Sequence, residues 1–160
     1  MFAWVRLLVL VAVLVAAEFV VQPLLGWRVR LDLLVVALLL FAIRVRPGAA
    51  ALAGLVLGAL ADAASPSGLG SGMLALATVG YVTSWLKAAF FAENAVLNWI
   101  VIFASAWGAT LLRLLLGGGV FEPGFAIEAL VWAPLSAAAT AFVGVLLFMA
   151  VRPALREISS

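Results

Sequence analysis

Long apolar stretches alternate with short polar breaks along this chain, and the breaks mark out six helices of membrane-spanning character. The first runs over about residues 4–22, with Pro23, Gly26 and Trp27 at its exit. The second, about 29–43, closes at Arg44-Val45-Arg46, and Pro47-Gly48 open the third, which covers 47–62 and ends on Asp62. A Ser65-Pro66-Ser67-Gly68 turn follows, in which proline fixes one dihedral and glycine permits a reversal. It leads into a fourth helix over 69–87. The fifth, 94–116, carries Arg113 near its end. A Gly117-Gly118-Gly119 loop with Phe121 and Phe125 then leads into the sixth, 127–151, where Pro134 predicts a kink and Pro153 a stop. The pattern predicts an all-α, polytopic membrane protein: a six-helix transmembrane bundle forming a single domain over residues 1–160, with no soluble domain and no repeat of detectable period.

The second and third helices are short for their role. Their uncharged parts, Leu33 to Ile43 and Pro47 to Ala61, fall below the length needed to cross a hydrocarbon core of about 30 Å. Either Arg28, Arg30, Arg44 and Arg46 snorkel so that the pair spans fully, or the two form a hairpin that stops part-way. The spanning arrangement is the one expected. Arg6 ahead of Leu7 to Val15 has the look of a signal peptide, but the apolar character continues past Glu18 to Leu25, which predicts an uncleaved first span.

Composition narrows the function. Hydrophobic residues make up 68% of the chain and charged residues 10%. Cysteine and histidine are absent. That removes thiolate nucleophiles, imidazole bases and the usual ligands of zinc, copper and haem, so no cofactor is expected. For an enzyme, Asp32 with Asp62 is the only credible acid–base pair, and nothing supplies a nucleophile beside it. The pI near 9.9 raises nucleic acid as a partner. A formal net charge of only +2, with the basic residues scattered singly or in pairs at helix ends, argues against it. The triple glycine has no following lysine and reads as a flexible turn rather than a phosphate loop.

Orientation follows from the lysine and arginine bias. With the N-terminus inside, Arg6, Arg44, Arg46, Lys87, Arg152 and Arg156 fall on the cytoplasmic side, and only Arg28 and Arg30 fall outside, so both termini are expected in the cytoplasm. Trp4, Trp27, Trp85 and Trp132 fall near helix ends as interfacial anchors, and Phe90-Phe91 fits a short cytoplasmic interfacial segment. The same topology brings Glu18, Asp32, Asp62 and Arg113, on four different helices, toward the outer leaflet. An unpaired ion there costs several kcal/mol, so Arg113 is expected to pair with Glu18 or Asp62. The cluster reads either as interfacial glue or as a polar pocket or docking site open to the outside.

Small residues recur at helical spacing. Gly54 and Gly58 lie four apart, with Ala50 before them and Asp62 after, and this face lets another helix backbone approach closely, either within the bundle or from a partner. Gly72, Gly80 and Ser84, Ser136, Thr140 and Gly144, and Ala104 with Gly108 repeat the spacing.

The order of these features resembles the rod-shape-determining membrane protein MreD family. The similar part is Leu31-Asp32-Leu33-Leu34 opening a helix, the Arg44 to Gly48 break, Gly54, Gly58 and Asp62, then Pro66-Ser67-Gly68-Leu69-Gly70, Ala75-Leu76 and Gly80-Tyr81. Arg30-Leu31 stands where the family tends to have proline. The resemblance implies a non-catalytic scaffold in the bacterial cytoplasmic membrane that binds the single-span protein MreC, alongside MreB, RodA and a class B penicillin-binding protein in lateral wall elongation. It also implies a likeness in architecture to the substrate-binding S-components of energy-coupling-factor vitamin transporters, which keeps a transporter subunit as the alternative.

Overall fold

The structure, a computed structural model, describes residues 2–25, 30–64, 69–87 and 94–156. The exit around Gly26, Trp27 and Arg28, the Ser65-Pro66-Ser67-Gly68 turn, the Phe90-Phe91 segment and the tail from 157 lie outside the described residues. Within them the chain is helical throughout, without strands. The long elements are α1 (Phe2–Leu25), α2 (Leu33–Ala42), α3 (Pro47–Ala64), α4 (Ser71–Trp85), α5 (Ala95–Leu116) and α6 (Ala133–Arg156). Between α5 and α6 come a 3-10 turn, Gly119–Phe121, a single α-turn, Phe125–Ile127, and a π-helical segment, Glu128–Trp132.

Four stretches are long and apolar enough to cross a membrane: Trp4–Leu24, Pro47–Ala64, Ala95–Leu116 and Phe125–Pro153. The other two helices are shorter than the sequence predicts. α2 has 10 residues and rises about 15 Å; α4 has 15 and rises about 22 Å. The reason α2 tolerates its length is its position. It touches every other long helix, and all its residues except Phe41 are buried. A helix that is apolar on all sides belongs inside a bundle, and α2 meets protein rather than lipid around most of its circumference. Its Leu34, Val35, Leu38 and Leu39 form the centre of a core completed by Leu57, Leu76, Val79, Ile102 and the small residues Ala106, Ala109, Ala137 and Ala141.

α3 and α4 form the most extensive helix pair. The cause is the small-residue face. A Cβ added at Gly54 would strike the backbone carbonyl of Leu76, one at Gly58 the backbone of Gly72 and Met73, and one at Gly80 the carbonyl of Ala50. Backbone thus lies against backbone along the whole pair, which is what such spacing permits. The face that the sequence offered for packing or for a partner helix is therefore filled by α4 of the same chain, and a partner would have to dock elsewhere. Gly144 of α6 packs instead against the side chains of Ile102 and Val36, whereas Gly108 faces open space.

Proline acts differently from expectation at both ends of the bundle. Pro23 lies inside α1 and Pro153 inside α6, so neither stops its helix at that residue. Pro134 leaves its mark just upstream. In the π segment the Ala133 amide donates to the Glu128 carbonyl, five residues back, instead of to Ala129. Pro134 has no N–H to offer Ala129 either. The Ala129 carbonyl, left without a helical donor, accepts instead from the Trp107 indole Nε1 at 3.2 Å.

At the opposite end of the bundle, Ser84 Oγ and Lys87 Nζ both donate to the Val45 carbonyl, each at 2.8 Å. This ties the end of α4 to the break between α2 and α3, where Pro47 occupies the first helical position of α3.

Candidate functional site

The ends of α1, α3 and α5 and the starts of α2, α4 and α6 meet at one end of the molecule around a cavity of about 730 Å³. Glu18, Asp32, Asp62 and Arg113 all line it, together with Gln22, Arg30, Ser71, Thr110, Glu122, Glu128, Ser136 and Thr140. The four charged residues picked from the sequence thus share one space, but the contacts among them differ from those expected.

Asp62, 8% exposed, is the last polar residue of α3 and serves the next helix. Its Oδ1 accepts from the Gly72 amide at 3.0 Å, and its Oδ2 accepts from the amides of Gly70 at 2.9 Å and Met73 at 3.2 Å. The first amides of a helix have no partner within it and carry partial positive charge, so a carboxylate there answers both needs. Two glycines make the fit possible. Gly70 adopts φ 94°, a left-handed conformation that places its amide toward α3. At Gly72, a Cβ would collide with the Asp62 carboxylate itself.

Glu18, 7% exposed, does for α2 what Asp62 does for α4. Its Oε2 accepts from the Leu33 amide and its Oε1 from Gln22 Nε2, both at 2.7 Å. Gln22 lies one turn further along α1 and donates also to the Leu31 carbonyl at 3.2 Å. Two more amides ahead of this helix are taken by α6: Thr140 Oγ1 accepts from Asp32 N at 3.0 Å and Ser136 Oγ from Arg30 N at 3.1 Å. Thr140, fully buried, donates its own hydroxyl hydrogen bond to the Ser136 carbonyl at 2.9 Å. From the sequence, Ser136 and Thr140 stood out only as small residues on a packing face; their hydroxyls, four apart on one side of α6, are the signal that was available.

Arg113 corrects the pairing. Its partner is Asp32, with Nη1 to Oδ2 at 3.3 Å, and neither Glu18 nor Asp62 makes an ion pair with it. The two expected partners are already engaged with backbone amides, and Asp32 is the carboxylate that capping leaves over. The 3.3 Å separation is long for a charge-assisted bond, which is ordinarily about 2.7–2.9 Å. Nε and Nη2 of the same guanidinium are enclosed and make no hydrogen bond.

Chemically, then, the buried carboxylates of this site are acceptors in the fold's own hydrogen bonds. Asp32 and Asp62 do not form an acid–base pair: one is bound to a guanidinium, the other to three amides. Among the described residues no group of three or more acidic, cysteine or histidine side chains is placed to hold a metal ion.

A family model described as rod shape-determining protein MreD matches residues 1–155. The chain belongs to the MreD family. MreD proteins are shape-determining structural proteins of the bacterial inner membrane rather than an enzyme family, and the four apolar helices long enough to cross a bilayer agree with an integral membrane protein. No curated protein and no solved structure matches the chain. Membership in MreD gives a role in rod-shape determination and a place among membrane-associated proteins of that machinery.

Proposed function

We infer that this MreD-family chain is a non-catalytic membrane scaffold of the lateral wall elongation machinery, crossing the membrane six times with both termini in the cytoplasm and binding an MreC-like single-span protein. RodA and a class B penicillin-binding protein are further partners in this reading. The observation that carries it is the use of the polar residues. Glu18 and Asp62 each seat the start of a neighbouring helix, and Asp32 holds Arg113. Such a network fixes the shape of one end of the bundle without leaving a poised acid or nucleophile, which suits a platform for other proteins. In this orientation the cavity end faces outward.

Since α4 fills the Gly54 and Gly58 face, the partner meets an outer surface of the bundle. Photo-crosslinkers placed one at a time at exposed Val13 on α1, Leu52 on α3, Leu74 on α4 and Phe142 on α6 test this in growing rod-shaped cells. Crosslinks to the MreC-like protein from one helix and not the others identify the docking face. Absence of crosslinks from every position, in variants that still restore rod shape to depleted cells, overturns the scaffold reading.

One observation favours the alternative, a substrate-binding subunit of a small-molecule transporter. A volume of about 730 Å³ lies within the usual range of roughly 300–1,000 Å³ for small-molecule sites. Saturable binding of a vitamin-sized solute by the purified protein, abolished by Asp62→Asn while complex formation is spared, would transfer the assignment to that class.

A further inference from the structure

The cavity carries charge that the fold leaves unused, and the unused charge has a pattern. Its wall holds Arg113, which makes one long ion pair with Asp32 and has two enclosed nitrogens without acceptors. Arg30 lines the same space, exposed, with its backbone amide on Ser136. Glu122 and Glu128 line it too, both exposed, and neither makes a side-chain hydrogen bond or ion pair among the described residues. Glu18, Asp62 and Asp32 are already engaged, the first two as acceptors from backbone amides and the third with Arg113. The charged groups that line the cavity without a carboxylate or amide holding them fully are of both signs: Arg30 and Arg113, and, at the exposed rim, Glu122 and Glu128.

The residues beside the rim are apolar and bare. Phe121 is 93% exposed, next to Glu122, while Ile127 and Leu130 flank Glu128 at 59% and 69%. A free anion would meet the two rim carboxylates, and a free cation the two arginines. A ligand with both charges close together satisfies both sides, and one that also carries hydrocarbon covers the bare residues at the rim.

We propose that the cavity binds the head group of a zwitterionic phospholipid, with the phosphate on Arg113 and Arg30, the ammonium on Glu122 and Glu128, and the acyl chains leaving past Phe121 and Leu130. The planar guanidinium suits phosphate because it offers parallel donors to two oxygens. An ammonium with hydrogens, as in ethanolamine, donates to both rim carboxylates; a trimethylated one does not.

The test uses the full chain reconstituted in nanodiscs of equimolar phosphatidylethanolamine and phosphatidylglycerol, released into mild detergent and examined by native mass spectrometry. The wild type is expected to retain phosphatidylethanolamine in preference to phosphatidylglycerol. The double variant Asp32→Asn with Arg113→Met, which removes both members of the ion pair and leaves no lone charge, should lower retention on the order of tenfold. Glu122→Gln with Glu128→Gln, both at exposed positions, should keep the lipid but lose the preference, admitting phosphatidylglycerol. Thermal unfolding of each variant separates lost binding from lost fold. Equal retention of the two lipids by the wild type overturns the proposal, as does undiminished retention by a folded Asp32→Asn, Arg113→Met protein. Binding of soluble phosphoethanolamine as tightly as the lipid, with no contribution from the acyl chains, assigns the site to a water-soluble ligand and overturns the lipid. Co-purification of the single-span partner is a separate readout, so failure here leaves the scaffold reading where it stood.

Discussion

Replacing Asp62 by asparagine keeps the side chain's shape and removes its charge from the start of α4. In the native protein three backbone amides, of Gly70, Gly72 and Met73, converge on the two carboxylate oxygens at 2.9–3.2 Å. Hydrogen bonds to a charged acceptor contribute about 1.5–3 kcal/mol each and neutral ones about 0.5–1.5 kcal/mol. Asparagine has one acceptor oxygen, and its NH₂ points donors at donors on the other side. At least one amide loses its partner, the others weaken, and the attraction of the carboxylate for the helix dipole, up to about 2 kcal/mol when partly buried, disappears. Because these contributions overlap, the net loss is about 2–3 kcal/mol for Asp62→Asn and about 4 kcal/mol for Asp62→Ala. For a chain of this size that lowers the unfolding temperature by roughly 5–10 °C in the first case. Hydrogen exchange gives the sharper reading: the amides of Gly70, Gly72 and Met73 should lose protection first and most. Gly72→Ala supplies an independent check, since its methyl group would displace the carboxylate without altering its charge, and it should expose the same amides. If Asp62→Asn unfolds within about 0.5 kcal/mol of the native protein, with exchange at Gly72 unchanged, the cross-helix cap contributes nothing and the reasoning fails.

Arg113→Met and Asp32→Asn should be non-additive, with a coupling of about 0.5–2 kcal/mol, while Arg113→Met and Glu18→Gln should come closer to additive; the reverse order in two thermodynamic cycles would restore Glu18 as the partner. Gly54→Leu or Gly58→Leu should prevent α3 and α4 from closing, seen as loss of folded protein in the membrane rather than as selective loss of a complex, and even Gly54→Ala should cost about 1–3 kcal/mol. Trp107→Phe should cost about 1 kcal/mol by leaving the Ala129 carbonyl without a donor, and should raise the mobility of the Glu128–Trp132 segment by hydrogen exchange; an unchanged segment would mean that water replaces the indole.

Much of this architecture is readable from residue spacing. Apolar length locates the helices, and the glycines four apart in α3 announce a close helix contact because nothing but backbone fits beside them. The depth of Glu18, Asp32, Asp62 and Arg113 follows from counting along each helix, so their convergence on one end is accessible too. Who pairs with whom is not. Counting gives depth but not azimuth or rotamer, and electrostatics alone cannot separate three carboxylates at similar depth. The choice is made by backbone amides, which a reading based on side chains passes over: Leu33 takes Glu18, Gly72 takes Asp62, and Asp32 is left for Arg113. The shortness of α2 is likewise visible, but its cause, enclosure by all the other long helices, is a property of the assembled bundle. The π segment before Pro134 needs the Trp107 indole from another helix, and sequence-local rules for proline predict only a bend.

The direction of the two cross-helix caps along the chain bears on how the protein is made. Glu18 precedes Leu33, and Asp62 precedes Gly72, so in both hairpins the acceptor is synthesised before the amides it receives. As each new helix leaves the ribosome, a seat for its first turn already exists in the helix just inserted, and the hairpin closes with short-range contacts. The contacts from Arg113 to Asp32 and from Thr140 to the Asp32 amide span 81 and 108 residues and wait for the last third of the chain. Assembly is thereby ordered from the amino end, with the two capped hairpins first and the polar chamber sealed last. A chain truncated before α5 would retain both caps and lack Ile102, Ala106, Ala109, Ala137 and Ala141 of the core as well as the elements that complete the chamber.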